Sequence, residues 1–154
     1  MTEQSDIPIR KAKLDDSLAL LPLVEEFYAG PEYSTPAEAL LSHLEKMLQD
    51  EKSAVFLAED EGGPQGFVAA TIRTGLEFGI MAEVEDLFVL PVVRGKRIGS
   101  RLMVEVMDWC KGQGADEISL VIAQQGEPAR QLERLYLRLG FEPSRRRLMY
   151  RPLK

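Results

Sequence analysis

The sequence predicts an α/β protein in which strands and helices alternate within one domain. The spacing of apolar residues switches repeatedly between the two-residue period of strands and the longer period of helices. The resulting order is strand, two helices, three strands, helix, strand, helix, strand. A length of 154 residues suits one domain, because typical domains hold roughly 100 to 200 residues. We therefore expect a single domain over residues 1–154, with 1–6 flexible.

Composition and charge exclude several classes of protein. Apolar residues make up 45% of the chain and charged residues 29%, as in ordinary globular domains. The chain has 25 acidic and 19 basic residues and a net charge of -6, so the positive excess that favours nucleic-acid binding is missing. One cysteine and one histidine cannot form the usual zinc site, so no metal is expected. No stretch approaches the roughly 18 apolar residues of a membrane span, and the polar start lacks a signal pattern, so we expect a cytoplasmic protein that contacts no membrane.

The N-terminal part predicts one strand and two helices. Ile7–Arg10 is the strand candidate. Residues 15–17 offer N-cap oxygens to a helix that runs toward Tyr28. Pro22 lies within that helix and lacks a backbone N–H, which predicts a kink or a late start. A second helix is expected between Thr35 and Asp50, because its apolar residues recur at helical spacing.

The middle of the chain predicts a hairpin, a further strand and a helix. Ala54–Glu59 and Gly66–Arg73 are rich in β-forming residues and flank a turn, which indicates an antiparallel hairpin. Met81–Leu90 is the most strand-like segment, and its continuous apolar end predicts burial on both faces of a sheet. A helix follows from Ile98 and ends at the glycines that follow Cys110, a residue we expect to be buried in its apolar stripe.

The last part predicts a strand, a helix and a strand. The segments are Ile118–Ile122, a helix that closes at Gly140, and Arg147–Arg151.

The segment that carries chemistry is a basic turn between Pro91 and the next helix. It brings four cations into eight residues of an otherwise acidic chain: Arg94, Lys96, Arg97 and Arg101. Helix N-termini present unpaired N–H groups and positive partial charge, and glycines let a ligand approach the backbone. This pattern favours a pyrophosphate ligand, and the alternative is a solvated basic helix start. The Walker and dinucleotide glycine motifs are both absent.

These residues resemble the GNAT superfamily of acetyl-CoA-dependent N-acetyltransferases. The family signature is Arg/Gln-x-x-Gly-x-Gly/Ala after a strand that ends in an apolar-Val-x-Pro pattern. Here Leu87–Pro91 ends the strand, and Arg94–Gly99 forms the loop, with Arg97 where the family usually has its first glycine. Leu135–Phe141 resembles the family's Leu-Tyr-x-x-x-Gly-Phe late helix, and the hairpin is a third point of similarity.

The resemblance implies the GNAT fold, a mixed central sheet of about six or seven strands flanked by about four helices. It also implies that the central strand bulges and parts from its successor, so that the pantetheine arm of acetyl-CoA lies in the gap like an added strand. The expected strand residues there are Leu87, Phe88 and Val89. A backbone N–H near Phe88 or Val89 would polarise the thioester. The expected pyrophosphate loop is Arg94, Gly95, Lys96, Arg97, Ile98, Gly99 and Ser100.

Catalysis needs a base, because an alkyl amine titrates near 10.4 and is mostly protonated at neutral pH. Glu83 and Glu85 lie two apart on the strand and share a face, so either is a candidate, with Glu85 slightly favoured. Two ordinary surface acids are the alternative. Asp86 should face the other side and be structural. Tyr136 matches the family tyrosine that protonates the departing thiolate, and a core aromatic is its alternative role.

The acceptor pocket of the family is built by the first two helices, their loop and the strand before the central one. The candidates there are Glu26, Tyr28, Tyr33 and Glu77, which suit a cationic amine, although the helix acids also fit a solvated face. We expect a small-molecule amine as acceptor. A protein N-terminus or lysine, and a non-catalytic acyl-CoA-binding or regulatory module, remain alternatives. Dimers are frequent in the family, which leaves a homodimer open.

Overall fold

Five strands form one mixed sheet in the order of the chain. The architecture comes from a computed structural model, which describes residues 7–31 and 33–154. The first four strands are antiparallel neighbours, and the fifth lies parallel to the fourth. The strands are β1 (Ile9–Lys11), β2 (Ser53–Asp60), β3 (Gly63–Gly75), β4 (Gly79–Val89) and β5 (Glu117–Leu120).

The described residues contain four α-helices, each near its predicted place in the chain: α1 (Ser17–Phe27), α2 (Ala37–Gln49), α3 (Ile98–Gly112) and α4 (Gly126–Arg138). Of the two alternatives that Pro22 predicts, a kink or a late start, the late start is wrong, because α1 begins at Ser17 and continues through Pro22. A short 3-10 turn, Leu14–Asp16, leads into it. No helix in the described residues is long and apolar enough to cross a lipid bilayer.

The core has two layers because β2 and β3 are buried on both faces. On one face, Val55, Leu57, Phe67 and Ala69 pack into a cluster with α1 and α2. On the other, Val68 and its neighbours lie under the buried side of α3. The residues of α3 on that side are Ile98, Leu102, Met103, Val106 and Cys110. The expected burial of Cys110 is thereby confirmed.

The end of β4 is less buried than the sequence predicts. Residues 87–90 are only partly buried, whereas the continuously buried strand is β2. The reason lies in the pairing with β5, which extends only from Met81–Glu117 to Val84–Leu120. An apolar run predicts a buried strand only where neighbours continue on both sides.

The chain divides into two compact units, one reaching to Val121 and the other spanning Ile122–Lys154. The predicted flexible segment 1–6 lies outside the described residues. The predicted last strand, Arg147–Arg151, is wrong, because this segment has no strand conformation. The second unit offers no other strand for it to pair with, and Leu148, Met149 and Tyr150 are 74–88% exposed. The described sheet therefore has five strands instead of the expected six or seven.

Candidate active site

A β-bulge in β4 is the geometric centre of the candidate site. Ala69 of β3 pairs with Asp86, while the next residue, Ala70, pairs with Val84. Glu85 is therefore the extra residue in β4, left without a partner in the register. A bulge of this kind interrupts the alternation of side chains along the strand.

The bulge places three carboxylates on one face of β4. Glu83 pairs with Thr71 and Asp86 pairs with Ala69, and residues two apart on β3 share a face. The Thr71 hydroxyl also donates a hydrogen bond of 2.9 Å to Glu85 Oε2. We call this side, with Glu83, Glu85 and Asp86, the carboxylate face. It is the face that α1 covers near Phe67 and Phe88.

The expectation that Asp86 faces the other side is therefore wrong. Without a bulge, strand alternation would put Asp86 opposite Glu85. The inserted residue reverses that alternation for everything that follows it. The resemblance to the family predicted a bulge in the central strand, but it did not predict at which residue the bulge lies.

Asp86 and Glu83 both sit in surroundings that disfavour their charge. Burial raises the pKa of Asp86, a hydrogen bond from Tyr28 lowers it, and the Glu85 charge raises it. Burial raises the pKa of Glu83 as well, with a further rise from Glu85 and an opposing effect of Arg73. Carboxyls with raised pKa values are suited to accept protons near neutral pH.

Tyr28 approaches the carboxylate face from the end of α1. Its hydroxyl donates a 2.6 Å hydrogen bond to Asp86 Oδ2. Its ring meets Phe27 and Tyr33 edge-on, at centroid distances of 4.8 and 4.9 Å. Two of the predicted acceptor residues, Tyr28 and Tyr33, thus lie together in an aromatic cluster beside the bulge.

The other two predicted acceptor residues lie elsewhere. Glu26 is exposed on α1. Glu77 is in the turn before β4, and Asp86 is seven residues beyond the start of that strand, roughly 23 Å away at about 3.3 Å per residue. The structure does not bring Glu77 to Tyr28.

Beyond the bulge, β4 keeps one edge open in the described sheet. Its pairs with β3 continue to Val89, but those with β5 stop at Val84. The Leu90 N–H donates to Gln65 of β3, so the N–H of Phe88 also points toward β3. The backbone groups of Leu87 and Val89 therefore point to the open side. Of the two candidates for a polarising N–H, Val89 has the suitable orientation.

The basic turn leads directly into α3 with two residues in the left-handed region. Gly95 has φ 87°, and Arg97, the N-cap, has φ 64°. The Arg94 N–H donates to the Pro91 carbonyl, and the next backbone hydrogen bond runs from the Arg101 N–H to the Arg97 carbonyl. The amides of Ile98, Gly99 and Ser100 precede that bond and form the free N-terminal end of a 15-residue helix.

Arg94 departs from the expected pattern of a phosphate-facing cation. Its Nε donates a 2.8 Å hydrogen bond to the Val89 carbonyl, and its guanidinium lies 5.7 Å from the centre of the Phe88 ring. The side chain thus braces the turn against the end of β4. Lys96 and Arg97 remain exposed.

Tyr136 belongs to the second compact unit. It is 7% exposed on α4 and meets Phe141 at a ring-centroid distance of 5.7 Å. No group of three or more His, Cys, Asp or Glu residues suited to a metal ion is found in the described part of the chain.

The sequence profile of the acetyltransferase (GNAT) family matches residues 18–141, so the chain belongs to this family and is a GNAT-type N-acetyltransferase. It is 30% identical over 120 residues to an aminoglycoside N(6')-acetyltransferase type 1 of Salmonella typhimurium, covering 75% of this chain and 81% of that one. It is 27% identical over 135 residues to the uncharacterized N-acetyltransferase YhfO of Bacillus subtilis, covering 87% and 89%. Among solved structures, aminoglycoside acetyltransferase AAC(6')-Iy in complex with a bisubstrate analogue, CoA-S-monomethyl-acetylneamine, superposes with a TM-score of 0.78 and 25% identity over 94% of this chain and 97% of that one. The predicted family and fold class are thereby confirmed.

Proposed function

We propose that this enzyme transfers the acetyl group of acetyl-CoA to a primary amine of a small cationic molecule. The observation that carries the proposal is the open edge of β4 between the carboxylate face and the free N-terminus of α3. One end of this edge suits an amine and the other suits phosphates.

Acetyl-CoA is proposed to bind along the open edge. The pantetheine arm would add to β4 as an extra strand, using the backbone groups of Leu87, because the Val89 carbonyl already accepts from Arg94. The pyrophosphate would be held by the turn and first helical amides, with Lys96 and Arg97 adding positive charge. Arg94 would act indirectly, because its guanidinium is engaged by the Val89 carbonyl.

The transfer is proposed to proceed by direct attack. Glu85 takes a proton from the ammonium form of the acceptor, directly or through water, and the neutral nitrogen attacks the thioester carbonyl. Glu85 is suited to this because it is exposed and its Oε2 is oriented by Thr71. Glu83 is the second candidate for the base, supported by its raised pKa.

Two further groups complete the proposed chemistry. The Val89 N–H would stabilise the negative charge that develops on the thioester oxygen. When the carbon–sulfur bond breaks, the CoA thiolate leaves and Tyr136 would supply its proton. The second proton of the attacking nitrogen would pass to water, and the Tyr136 hydroxyl would regain its proton from water. The assignment of Tyr136 is supported by its place in the Leu135–Phe141 motif.

Two observations support the proposed acceptor class: the side chains around the bulge and the similarity to known acetyltransferases. Carboxylates and aromatic rings together suit cationic amines, and both are present around the bulge. Two of the relatives described above carry aminoglycoside acetyltransferase names, and aminoglycosides bear several amino groups. Amino sugars and polyamines are therefore the first compounds to test.

The test is release of the CoA thiol from acetyl-CoA, followed with Ellman's reagent across neamine, putrescine, spermidine and a lysine-containing peptide. Burial raises the pKa of the chain's single thiol, Cys110, to about 11, so the enzyme itself should react slowly with the reagent. Turnover of amino sugars or polyamines, with an acetylated product seen by mass spectrometry, supports the proposal. Turnover of the peptide alone would contradict the acceptor class, and binding of CoA without any turnover would contradict catalysis.

A second experiment tests the phosphate end of the site. Gly99→Glu places a bulky anion at the N-terminus of α3 and should abolish CoA binding in calorimetry. Gly112→Glu is the matched control, because Gly112 lies at the opposite end of the same helix with open space around it. Equal CoA affinity in the two folded variants would contradict the loop assignment.

A further inference from the structure

Asp86, on the carboxylate face of β4, is oriented by a residue at the end of α1. Tyr28 and Asp86 are 58 residues apart in the chain, and their 2.6 Å hydrogen bond joins the end of α1 to the bulge. Glu83 has no such tether among the described residues, and Glu85 has the Thr71 hydroxyl. Asp86 is the most buried acid of the three, so its direction is the most constrained.

The Tyr28 hydroxyl is itself held in place. The Tyr28 ring makes edge-on contacts with the rings of both Phe27 and Tyr33. Phe27 in turn contacts Phe67 of β3 and Phe88 of β4. A bond between two groups with so little freedom is pre-organised, so it loses little entropy when a ligand arrives.

The bond also affects the pKa of both groups. Burial, and then the bond to Asp86, raises the pKa of Tyr28, so its hydroxyl stays a donor. The same bond lowers the pKa of Asp86 against the effects of burial and Glu85. Besides the pair itself, Tyr33 and Glu85 affect these pKa values. Both raise the pKa of Tyr28, and Glu85 also raises the pKa of Asp86. The bond favours the charged form of Asp86, and no cationic side chain among the described residues forms an ion pair with it.

We propose that Asp86 binds a second ammonium group of the acceptor and that Tyr28 is a positioning residue that aims Asp86 at it. The inference rests on the function proposed above. The nitrogen that attacks must be neutral, and Glu85 is assigned to take its proton, so an ion pair with Asp86 serves a different nitrogen. The acceptor class is thus molecules with two or more amino groups, and monoamines are poor substrates.

Kinetics of Asp86→Asn and Tyr28→Phe test the role, with putrescine as the diamine and butylamine as the monoamine. Asn keeps the side-chain shape and still accepts from Tyr28, so the fold should persist. For Asp86→Asn we expect the KM of putrescine to rise about tenfold or more, as for a lost charged hydrogen bond. The KM of acetyl-CoA should stay the same, the KM of butylamine should rise much less than that of putrescine, and Tyr28→Phe should show a smaller rise for putrescine.

Matched controls separate this from general damage. Asp108→Asn on the exposed side of α3 and Tyr150→Phe near the C-terminus make the same two chemical changes at other places in the chain. Both should keep the parameters of the parent enzyme. A putrescine KM within twofold of the parent in active Asp86→Asn would overturn the inference.

A readout without turnover distinguishes this inference from the proposed function. The side-chain carboxyl signal of Asp86, identified by its loss in Asp86→Asn, can be titrated by carbon NMR. Its pKa should rise in Tyr28→Phe, and the signal should shift when putrescine is added but not when butylamine is. If no amine is turned over yet the signal responds, the proposed reaction fails and the inference stands. If neither Tyr28→Phe nor putrescine affects the signal, the inference fails whatever the activity.

Discussion

The Thr71 hydroxyl donates a hydrogen bond to the Glu85 carboxylate across the β3–β4 pair, although the residue opposite Thr71 in the register is Glu83. The bond exists because the bulge shortens the separation between these two side chains. It orients one oxygen of the acid we assign as base.

Replacement of Glu85 by Gln should lower kcat by about a hundredfold, the lower range for a lost general base. Glu83→Gln should have a smaller effect, and Glu105→Gln, on the exposed side of α3, serves as the control. The measurement is initial rate at saturating acetyl-CoA with the best amine of the panel. A large loss in Glu83→Gln alone would transfer the role of base to Glu83.

The pH dependence provides an independent check on that choice. A base must be ionised, so kcat/KM falls as pH drops through its pKa. Burial raises the pKa of Glu83 above the ordinary glutamate value of 4.5. If Glu83 is the base, the acidic limb of the profile lies above that value and disappears in Glu83→Gln. If Glu85 is the base, Glu83→Gln keeps the limb.

Arg97→Gly should stabilise the protein by up to about 1 kcal/mol, because Arg97 has φ 64° and a side chain in the left-handed region is strained. Urea unfolding of the free enzyme measures this. CoA affinity should fall only modestly, since the charge of Arg97 is lost but the amide donors of the turn remain. Lys96→Gly is the control, because Lys96 is not among the described residues with positive φ, and it should not stabilise. Equal stability of Arg97→Gly and the parent would show that the turn carries no such strain.

Tyr136→Phe should lower the transfer rate about tenfold or more and leave CoA binding nearly intact. The ring keeps its packing on Phe141, and only the hydroxyl group is lost. Rates are measured by thiol release and affinity by calorimetry. Unchanged turnover would remove Tyr136 from the role of acid and leave it a core aromatic.

The ion pairs of Arg10 should make stability depend on acid pH. Arg10 donates to Asp16 at 2.8 Å and to Glu59 at 3.0 Å, and the hydrogen bond from Arg10 is the main cause that lowers the pKa of Asp16. A lowered pKa adds stability above the unfolded value of 3.8, which is lost as pH falls through the folded value. Arg10→Met should therefore cost about 0.5–1 kcal/mol at neutral pH, since the Arg10 side chain is 42% exposed, and less at an acidic pH at which Asp16 is protonated.

Urea unfolding at both pH values checks this, with Arg151→Met in the exposed C-terminal segment as control. A loss of the same size at both values would mean that Arg10 acts by packing instead of charge.

Much of the fold was predictable because its signals are local. Apolar periodicity located the four helices and the first five strands, and the glycine and proline positions marked their ends. The Arg94–Gly99 loop, the Leu135–Phe141 motif and the hairpin together predicted the family, and the family sequence profile confirms it. These features depend on residues a few positions apart, which one chain displays directly.

Contacts between distant segments decided the rest. Arg147–Arg151 looks like a strand, but strand hydrogen bonds need a partner that no local pattern specifies. The side on which Asp86 lies depends on one extra residue in the register between β3 and β4. Its link to Tyr28 depends on how α1 packs across the sheet. The sequence by itself determined the class of enzyme and its list of acids, while only the tertiary structure decided which acids share a face, because a single bulge reverses the alternation beyond it.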